Sequence, residues 1–232
     1  MLFMLSGKSS ILTADFNPPI DLKDGNYVLG LTNFETFNSI PNIDEGCNSI
    51  RVGKKEIIIP TGCYQVVDIN KYIKHELKQD PKTKGTIFEL TANNNTLHTH
   101  IKCSEDVDLR KLNSIAPLIG FKRKLLTKFG KYPSDNIANV MSVNSILVEC
   151  NITVNSYANG QPQHIIHQFF PNVPPGFKIV ESPDHVIYLP ISVNTLRNIV
   201  IKIVDQTGKL INFQQETITV GLHLQKETQD GF

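Results

Sequence analysis

His98-Thr99-His100 sets two imidazoles two residues apart. On an extended strand that spacing puts both rings on one face, as β-sheet zinc enzymes do for two of three ligands. No carboxylate or third histidine lies near enough in sequence to complete a site, so an exposed polar face of a hairpin is the simpler account. His164-Ile165-Ile166-His167 has a helix-compatible spacing but lies between Pro162 and Pro171 in strand-like sequence, and a surface position accounts for it. Lys122-Arg123-Lys124 with Lys128 and Lys131 forms a basic cluster interleaved with Phe121 and Phe129. Such a cluster can touch phosphate or act as a nuclear import signal, and a solvated loop explains it with fewer assumptions. Carboxylates recur at Asp15, Asp21 and Asp24 and in Glu105-Asp106-Val107-Asp108, all in turns and without an associated base or nucleophile. Cys47, Cys63, Cys103 and Cys150 are far apart and form no Cys-x-x-Cys pair, which leaves four reduced thiols. Gly-x-Ser-x-Gly, a phosphate-binding loop and a dinucleotide fingerprint are all missing. These residue types predict no enzyme: no catalytic, cofactor-binding or metal-binding residue is assigned and no cofactor is expected.

Composition narrows the class further. Hydrophobic residues make up 40% and charged residues 19% of 232 residues, enough apolar surface for a sizeable core and far from the composition of a disordered chain. The formal charge is +1, from 23 Lys+Arg against 22 Asp+Glu, so no overall field drives binding to nucleic acid or an anionic membrane. Arginine occurs only at Arg51, Arg110, Arg123 and Arg197, which further weakens a nucleic-acid function. Met1-Leu2-Phe3-Met4-Leu5 is apolar but lacks the basic flank and the length of a signal peptide, so synthesis inside the cell is expected. Asn94-Asn95-Thr96 and Asn151-Ile152-Thr153 match the glycosylation pattern and mean little without a secretory signal.

The elements that must position these groups are strands. Between Val186 and Lys226 the chain holds three strand-like runs. His185 to Pro190 is the first. Asn198 to Val204 is the second, with Ile199, Ile201 and Ile203 on one face. Asp205-Gln206-Thr207-Gly208 has the ends a type I turn prefers. Thr217 to Leu224 then alternates, with Ile218, Val220, Leu222 and Leu224 inward, as in an antiparallel sheet closing a β-sandwich. Upstream, residues 8 to 37 predict two extended segments broken at Asn17-Pro18-Pro19 and Asp24-Gly25. Asp68 predicts a helix cap, with Ile69, Tyr72, Ile73 and Leu77 on one stripe to about Lys78, the lysines opposite, and a staple between Val67 and Tyr72. Thr86 to Ala92 and Thr96 to Cys103 predict a hairpin with Leu97 and Ile101 on one face and His98, His100 and Lys102 on the other. Ser114 predicts a short helical turn over Ile115 to Ile119, stopped by Gly120. The sum is an all-β chain: an antiparallel β-sandwich, a single jelly roll with one or two short helices inserted in loops, forming one domain over residues 1–232.

Several stretches carry a family resemblance. They are Tyr27-Val28-Leu29-Gly30-Leu31-Thr32-Asn33-Phe34-Glu35-Thr36-Phe37-Asn38-Ser39-Ile40-Pro41-Asn42, Ile59-Pro60-Thr61-Gly62-Cys63-Tyr64, Asp68-Ile69-Asn70-Lys71-Tyr72-Ile73, and Asn113-Ser114-Ile115 with Leu118-Ile119-Gly120-Phe121. Ser156-Tyr157-Ala158-Asn159-Gly160, Pro174-Pro175-Gly176, Ile187-Tyr188-Leu189-Pro190, Ile203-Val204-Asp205-Gln206 and Leu222-His223-Leu224 continue the series. In order and spacing, from Tyr27 to Leu224, the chain resembles the penton-like minor capsid proteins of Polinton/Maverick elements and adintoviruses.

That resemblance implies a structural virion protein, a single jelly roll forming pentamers at the vertices of an icosahedral capsid whose faces are double jelly-roll trimers. The implied partners are further copies of the chain, as a homopentamer, and a double jelly-roll major capsid protein, with no specific nucleic-acid or membrane binding. The implied location is the virion, after intracellular synthesis, with the host nucleus as a candidate assembly compartment. The chain is much shorter than the adenovirus penton base and has no Arg-Gly-Asp, so receptor binding and fibre attachment are not carried over. Phe169 to Pro175 and Met1 to Leu5 are candidate contact segments, balanced against packing under the subunit's own sheets. The competing functions are a soluble jelly-roll binding module, lectin-like or cytokine-like, a host-domesticated relic of the capsid gene, and a zinc enzyme built on His98 and His100.

Overall fold

A computed structural model describes residues 1–141 and 143–227 of the chain. In chain order its elements are β1 (Leu2–Gly7), β2 (Ile11–Asp21), β3 (Tyr27–Phe37), β4 (Ser49–Val52), β5 (Lys55–Ile58), α1 (Val66–Gln79), β6 (Phe88–Ala92), β7 (Thr99–Cys103), β8 (Val107–Asp108), β9 (Leu125–Leu126) and β10 (Gly130–Pro133). They continue with β11 (Ile146–Cys150), β12 (Ser156–Ala158), β13 (Gln161–Gln163), β14 (Ile165–Phe169), β15 (Lys178–Glu181), β16 (Leu189–Pro190), β17 (Thr195–Asp205) and β18 (Ile218–Lys226). The chain divides into two compact units, Met1–Ile40 with Val143–Phe232, and Pro41–Ser142.

The first unit is built on two sheets. One has the order β1-β18-β3-β15, with β16 also pairing with β3; the other has the order β14-β11-β17-β2. Every pairing in them is antiparallel. The chain passes from β1 to β2 to β3 by alternating sheets, stays in the second sheet for β11 and β14, then alternates again through β15, β17 and β18. This is the double Greek key of a jelly roll, so the predicted fold class holds.

One apolar layer makes the two sheets a single body. Ile199, Ile201 and Ile203 of β17 are fully buried, and so are Ile218, Val220, Leu222 and Leu224 of β18; all seven belong to one core with Leu29, Leu31 and Phe34 of β3 and Ile146 and Val148 of β11. The Phe34 ring lies 5.0 Å from Phe169 and 6.4 Å from Phe213.

The turn after β17 forms as the sequence predicts. The Gly208 N–H donates to Asp205 O at 2.9 Å, and Asp205 Oδ1 accepts from the backbone N–H of Thr207 and Lys209. Gly208 has φ +82, which only glycine adopts without strain. The reversal is brief, however. Val204 bridges Leu210, and the chain then crosses over, burying Ile211 and Phe213 on the way. The two most regular strands therefore lie in different sheets and do not pair with each other.

Two expectations are corrected here. Pro18 and Pro19 do not end a strand, because β2 is an edge strand that pairs only with β17 and both prolines lie in the register break between Asp15 and Ile20, where no ladder pair is required of them. The run from His185 shrinks to β16, because Val186 and Tyr188 lie over Gly30 and not beside it. A Cβ at Gly30 would collide with Val186.

Apart from the two-stranded sheet of β12 and β13, the extra elements are gathered between β3 and β11, in the second unit, around a separate core. Its sheets have the orders β5-β4-β8-β9 and β10-β7-β6. Helix α1 begins at Val66, two residues before the predicted cap, because Val66 extends the buried stripe of Ile69, Ile73 and Leu77. Asp68 is the third helical residue; its carboxylate accepts the Gln65 N–H at 3.3 Å and suits the positive end of the helix dipole. Val67 is exposed, so the staple to Tyr72 does not form. The predicted turn at 115–120 is present as a hydrogen-bonded turn: Ala116 N–H donates to Ser114 Oγ, Phe121 N–H to Ala116 O, and Gly120 has φ +79.

Among the described residues, Thr36 Oγ1 is the one buried side-chain oxygen without a hydrogen-bond partner. Thr36→Val keeps the shape and removes that desolvated hydroxyl, so it raises unfolding stability by about 1 kcal/mol in urea titration. Phe34→Ala, at the cross-sheet ring cluster, lowers it by about 3–5 kcal/mol in the same measurement.

Candidate functional site

The histidine pair on the central hairpin is structural in its surroundings. Thr99, Ile101 and Cys103 face the core of the second unit. His98 Nδ1 lies 3.0 Å from Ser134 Oγ and 3.1 Å from Ser134 O, and Ser134 Oγ also accepts the Thr99 N–H at 3.1 Å. His100 is half-buried, opposite Thr91 on β6 and Pro133 on β10. Among the described residues no group of three His, Cys, Asp or Glu side chains is placed to hold a metal ion. Leu97, expected beside Ile101, is exposed at φ +58, because it closes the turn in which its N–H donates to Asn93 O at 2.8 Å.

His164 and His167 serve the sandwich. His164 Nδ1 lies 2.6 Å from Thr153 O. His167 Nε2 lies 2.9 Å from Glu181 Oε1, with its ring stacked 5.9 Å from Phe169. That contact joins β14, an edge of one sheet, to β15, an edge of the other, and fastens one open side of the sandwich.

The basic cluster is not a plain loop; it includes β9 and β10. Lys124 Nζ contacts Asp135 Oδ1 at 2.7 Å, and Asp135 Oδ2 accepts the Lys122 N–H at 2.9 Å. The Lys124 ammonium holds the Asp135 carboxyl below its usual range. Arg123 donates to Leu112 O at 2.7 Å. Phe121 is core and Phe129 is exposed. A cation and a guanidinium committed to the chain's own oxygens do not converge on a phosphate.

The carboxylates are likewise committed or isolated. Asp108 forms a two-point contact with Arg110, 2.8 Å at each oxygen, which pulls its carboxyl down to about 2. Asp24 accepts from Tyr27 Oη at 2.9 Å and meets Lys226 at 3.2 Å, and the Tyr27 hydrogen bond is the main cause that lowers it. No disulfide joins the described cysteines. Burial pushes the Cys150 thiol up to about 11 and raises Cys47, Cys63 and Cys103 as well, so none is a ready nucleophile. An open polar cleft of about 680 Å³ lies at one end of the jelly roll, lined by Leu22, Asn26, Tyr27, Ser192, Asn194 and Arg197 among others.

What stands out is surface. In each candidate contact segment some residues pack into the core, with Phe3 and Val173 partly buried against it, and others do not. Leu5 is buried, whereas Leu2 is 77% and Met4 70% exposed on edge strand β1. Phe169 is buried, whereas Phe170 is 68% and Phe177 63% exposed beside edge strands β14 and β15. Large apolar side chains left on the edges of a sandwich mark interaction surfaces. Alternation within the segments carried this signal; which strands form the edges did not appear in the sequence.

No family model matches the chain. No curated protein sequence matches it. A comparison of folds finds a crystal structure of the selenomethionine-labelled mavirus penton protein, with a TM-score of 0.51 and 12% sequence identity, over 97% of this chain and 99% of that one. At that identity the likeness is one of fold, and it extends over nearly the full length of both chains.

Two measurements check these assignments. Maleimide labelling of the native protein leaves Cys103 and Cys150 unmodified, and both react once it is unfolded. Because the folded carboxyl of Asp108 is depressed, its stabilising contribution is complete above the ordinary aspartate value and is lost as pH falls from about 4 towards 2. Asp108→Asn should flatten that part of the melting-temperature profile.

Proposed function

We propose that the chain is a penton-like minor capsid subunit that assembles into a homopentamer at the vertices of an icosahedral shell. Residues 1–232, jelly roll and inserted unit together, act as one subunit in this reading; of these, Ser142 and residues 228–232 lie outside the described residues. The single observation that carries it is the jelly-roll strand order in a chain that matches a viral penton protein over nearly its whole length. The partners are identical copies and a double jelly-roll major capsid protein, and the location is the virion.

The exposed apolar edges supply a physical route. Fivefold contacts are heterologous, so one surface of a subunit meets a different surface of the next. The edge with Leu2 and Met4 and the edge with Phe170 and Phe177 are two such different surfaces on one chain. Assembly in the host nucleus gains no support from the basic cluster, whose Lys124 and Arg123 are already engaged. A soluble binding module is the second reading, favoured by the open polar cleft beside Arg197.

Sedimentation of the purified chain tests the proposal. A species of five times the 26.0 kDa chain mass, seen as fivefold rings by negative stain, is expected. Leu2→Glu combined with Met4→Glu should dissociate it without loss of the folded circular-dichroism spectrum. A wild-type chain that remains monomeric at all concentrations and binds glycans would sink the capsid role and favour the binding module.

A further inference from the structure

Four antiparallel strands in the order β1-β18-β3-β15 leave two free edges that run in opposite directions. Hydrogen bonds at the ends of the sheet show which backbone groups those edges offer. Met1 and Leu224 exchange both backbone bonds, Met1 N to Leu224 O and the Leu224 N–H to Met1 O. Bonded and non-bonded pairs alternate along an antiparallel ladder. Phe3, Leu5 and Gly7 therefore bond to β18, and the N–H and C=O of Leu2, Met4 and Ser6 point away from it. On the far side the Asn38 N–H donates to Phe177 O at 2.8 Å. By the same alternation Ile179 and Glu181 bond to β3, and the N–H and C=O of Lys178 and Val180 point away.

The side chains of these residues also share a face. Ser6 lies opposite Thr219, Thr219 opposite Glu35, and Glu35 opposite Val180, so one row crosses the whole sheet on its outer side. Leu5, Val220 and Phe34 point the other way, into the core. On the outer face Leu2 and Met4 are exposed at one edge, and Val180 is 51% exposed at the other. The charges of β15 are answered within the chain, Lys178 by Glu35 and Glu181 by His167.

The other sheet's edges are less open. β2 carries Pro18 and Pro19 in its register break, and β14 pairs with β11 across a bulge at Val148 and Glu149. β1 has no proline, no bulge and no charged side chain, the devices that keep an edge from pairing.

We infer that β1 of one copy adds to β15 of the next, so that the sheet runs on from subunit to subunit. The inference rests on the homopentamer proposed above and names the backbone contact that joins its copies. A second copy is the occupant that the two edges specify. Because they run in opposite directions, copies rotated about an axis along the strands bring β1 antiparallel to β15. Both edges offer their donors and acceptors from residues of the outer face, as opposite members of an antiparallel pair must. Val180 then meets Met4 of the next copy, and Lys178 meets its Ser6. Two different edges give a heterologous contact, the kind that closes rings, whereas β1 against β1 would stop at a two-fold pair. Main-chain hydrogen bonds supply the affinity of such strand addition. Opposite net charges on the two units, +5 from 16 Lys+Arg against 11 Asp+Glu in residues 41–142 and −4 from 7 against 11 in the rest, assist encounter.

Proline substitution in the full chain provides the test, because at these positions it removes an N–H that the single subunit does not use. Ser6→Pro and Val180→Pro should each weaken self-association at least about tenfold in sedimentation, while Ser6→Ala and Val180→Thr, which keep the N–H, stay near wild type. Hydrogen exchange of the wild-type chain should show the edge amides of β1 and β15 protected in the pentamer and fast in the monomer, a readout that stands even if a proline unfolds its edge. Met4→Cys and Val180→Cys chains should cross-link with each other on mixing, above the wild-type background, and not with themselves. Proline variants that assemble like wild type, or edge amides that exchange equally in both states, would overturn the strand addition and leave the pentamer standing. Cross-links between two Met4→Cys chains would overturn it in favour of a two-fold β1 pair. A wild-type chain that stays monomeric would remove the pentamer itself and this contact with it.

Discussion

The structure depends on one constraint: two antiparallel sheets must share a single apolar layer, which their inward faces bury together. Phe34 from one sheet against Phe169 from the other, 5.0 Å between rings, is the local form of that constraint. Ile199, Ile201 and Ile203 facing the interior that Ile218, Val220, Leu222 and Leu224 also line is its extended form. Burial on that scale dominates folding free energy, and most successive strands of the jelly roll change sheet to supply both sides of the layer. The crossing after Asp205 is one of these changes. A hairpin there would place β17 and β18 in one sheet and leave the other without its central member.

A core closed in this way tolerates a large insertion. The segment between β3 and β11 keeps its own apolar interior of Ile69, Ile73, Leu90, Ile101 and their neighbours, separate from that of the jelly roll. Its polar groups are correspondingly local. His98 is tied to Ser134, Lys124 to Asp135, and Asp108 to Arg110, all within the insert. The residues that most resembled chemistry in the sequence thus act as fasteners of a small β-rich unit. Their resemblance to metal or phosphate sites came from spacing alone, and spacing does not show what the second face of a ring touches.

The titratable groups singled out above are paired or isolated. The outward residues divide into two kinds: apolar side chains on the sheet edges, and charges segregated between the insert and the jelly roll. The first kind gains from water exclusion and the second sets partner choice and approach. The sandwich that presents both shares its fold with the mavirus penton protein.

The sequence by itself determined the fold class, the inward faces of β17 and β18, the turn at Asp205 to Gly208, the hairpin of β6 and β7, and the existence of α1. All of these are local, set by a two- or 3.6-residue period and by residues that favour caps or turns. The charges are in the sequence, but their segregation appears only with the unit boundaries that the structure supplies. Only the tertiary structure decided which strands are neighbours, that Pro18 and Pro19 sit within an edge strand, that the run from His185 is mostly a cover over Gly30, and that α1 starts at Val66. These depend on partners far away in the chain. A strand's own residues specify which face is apolar, and the long-range pairing that completes the core specifies where that face must go.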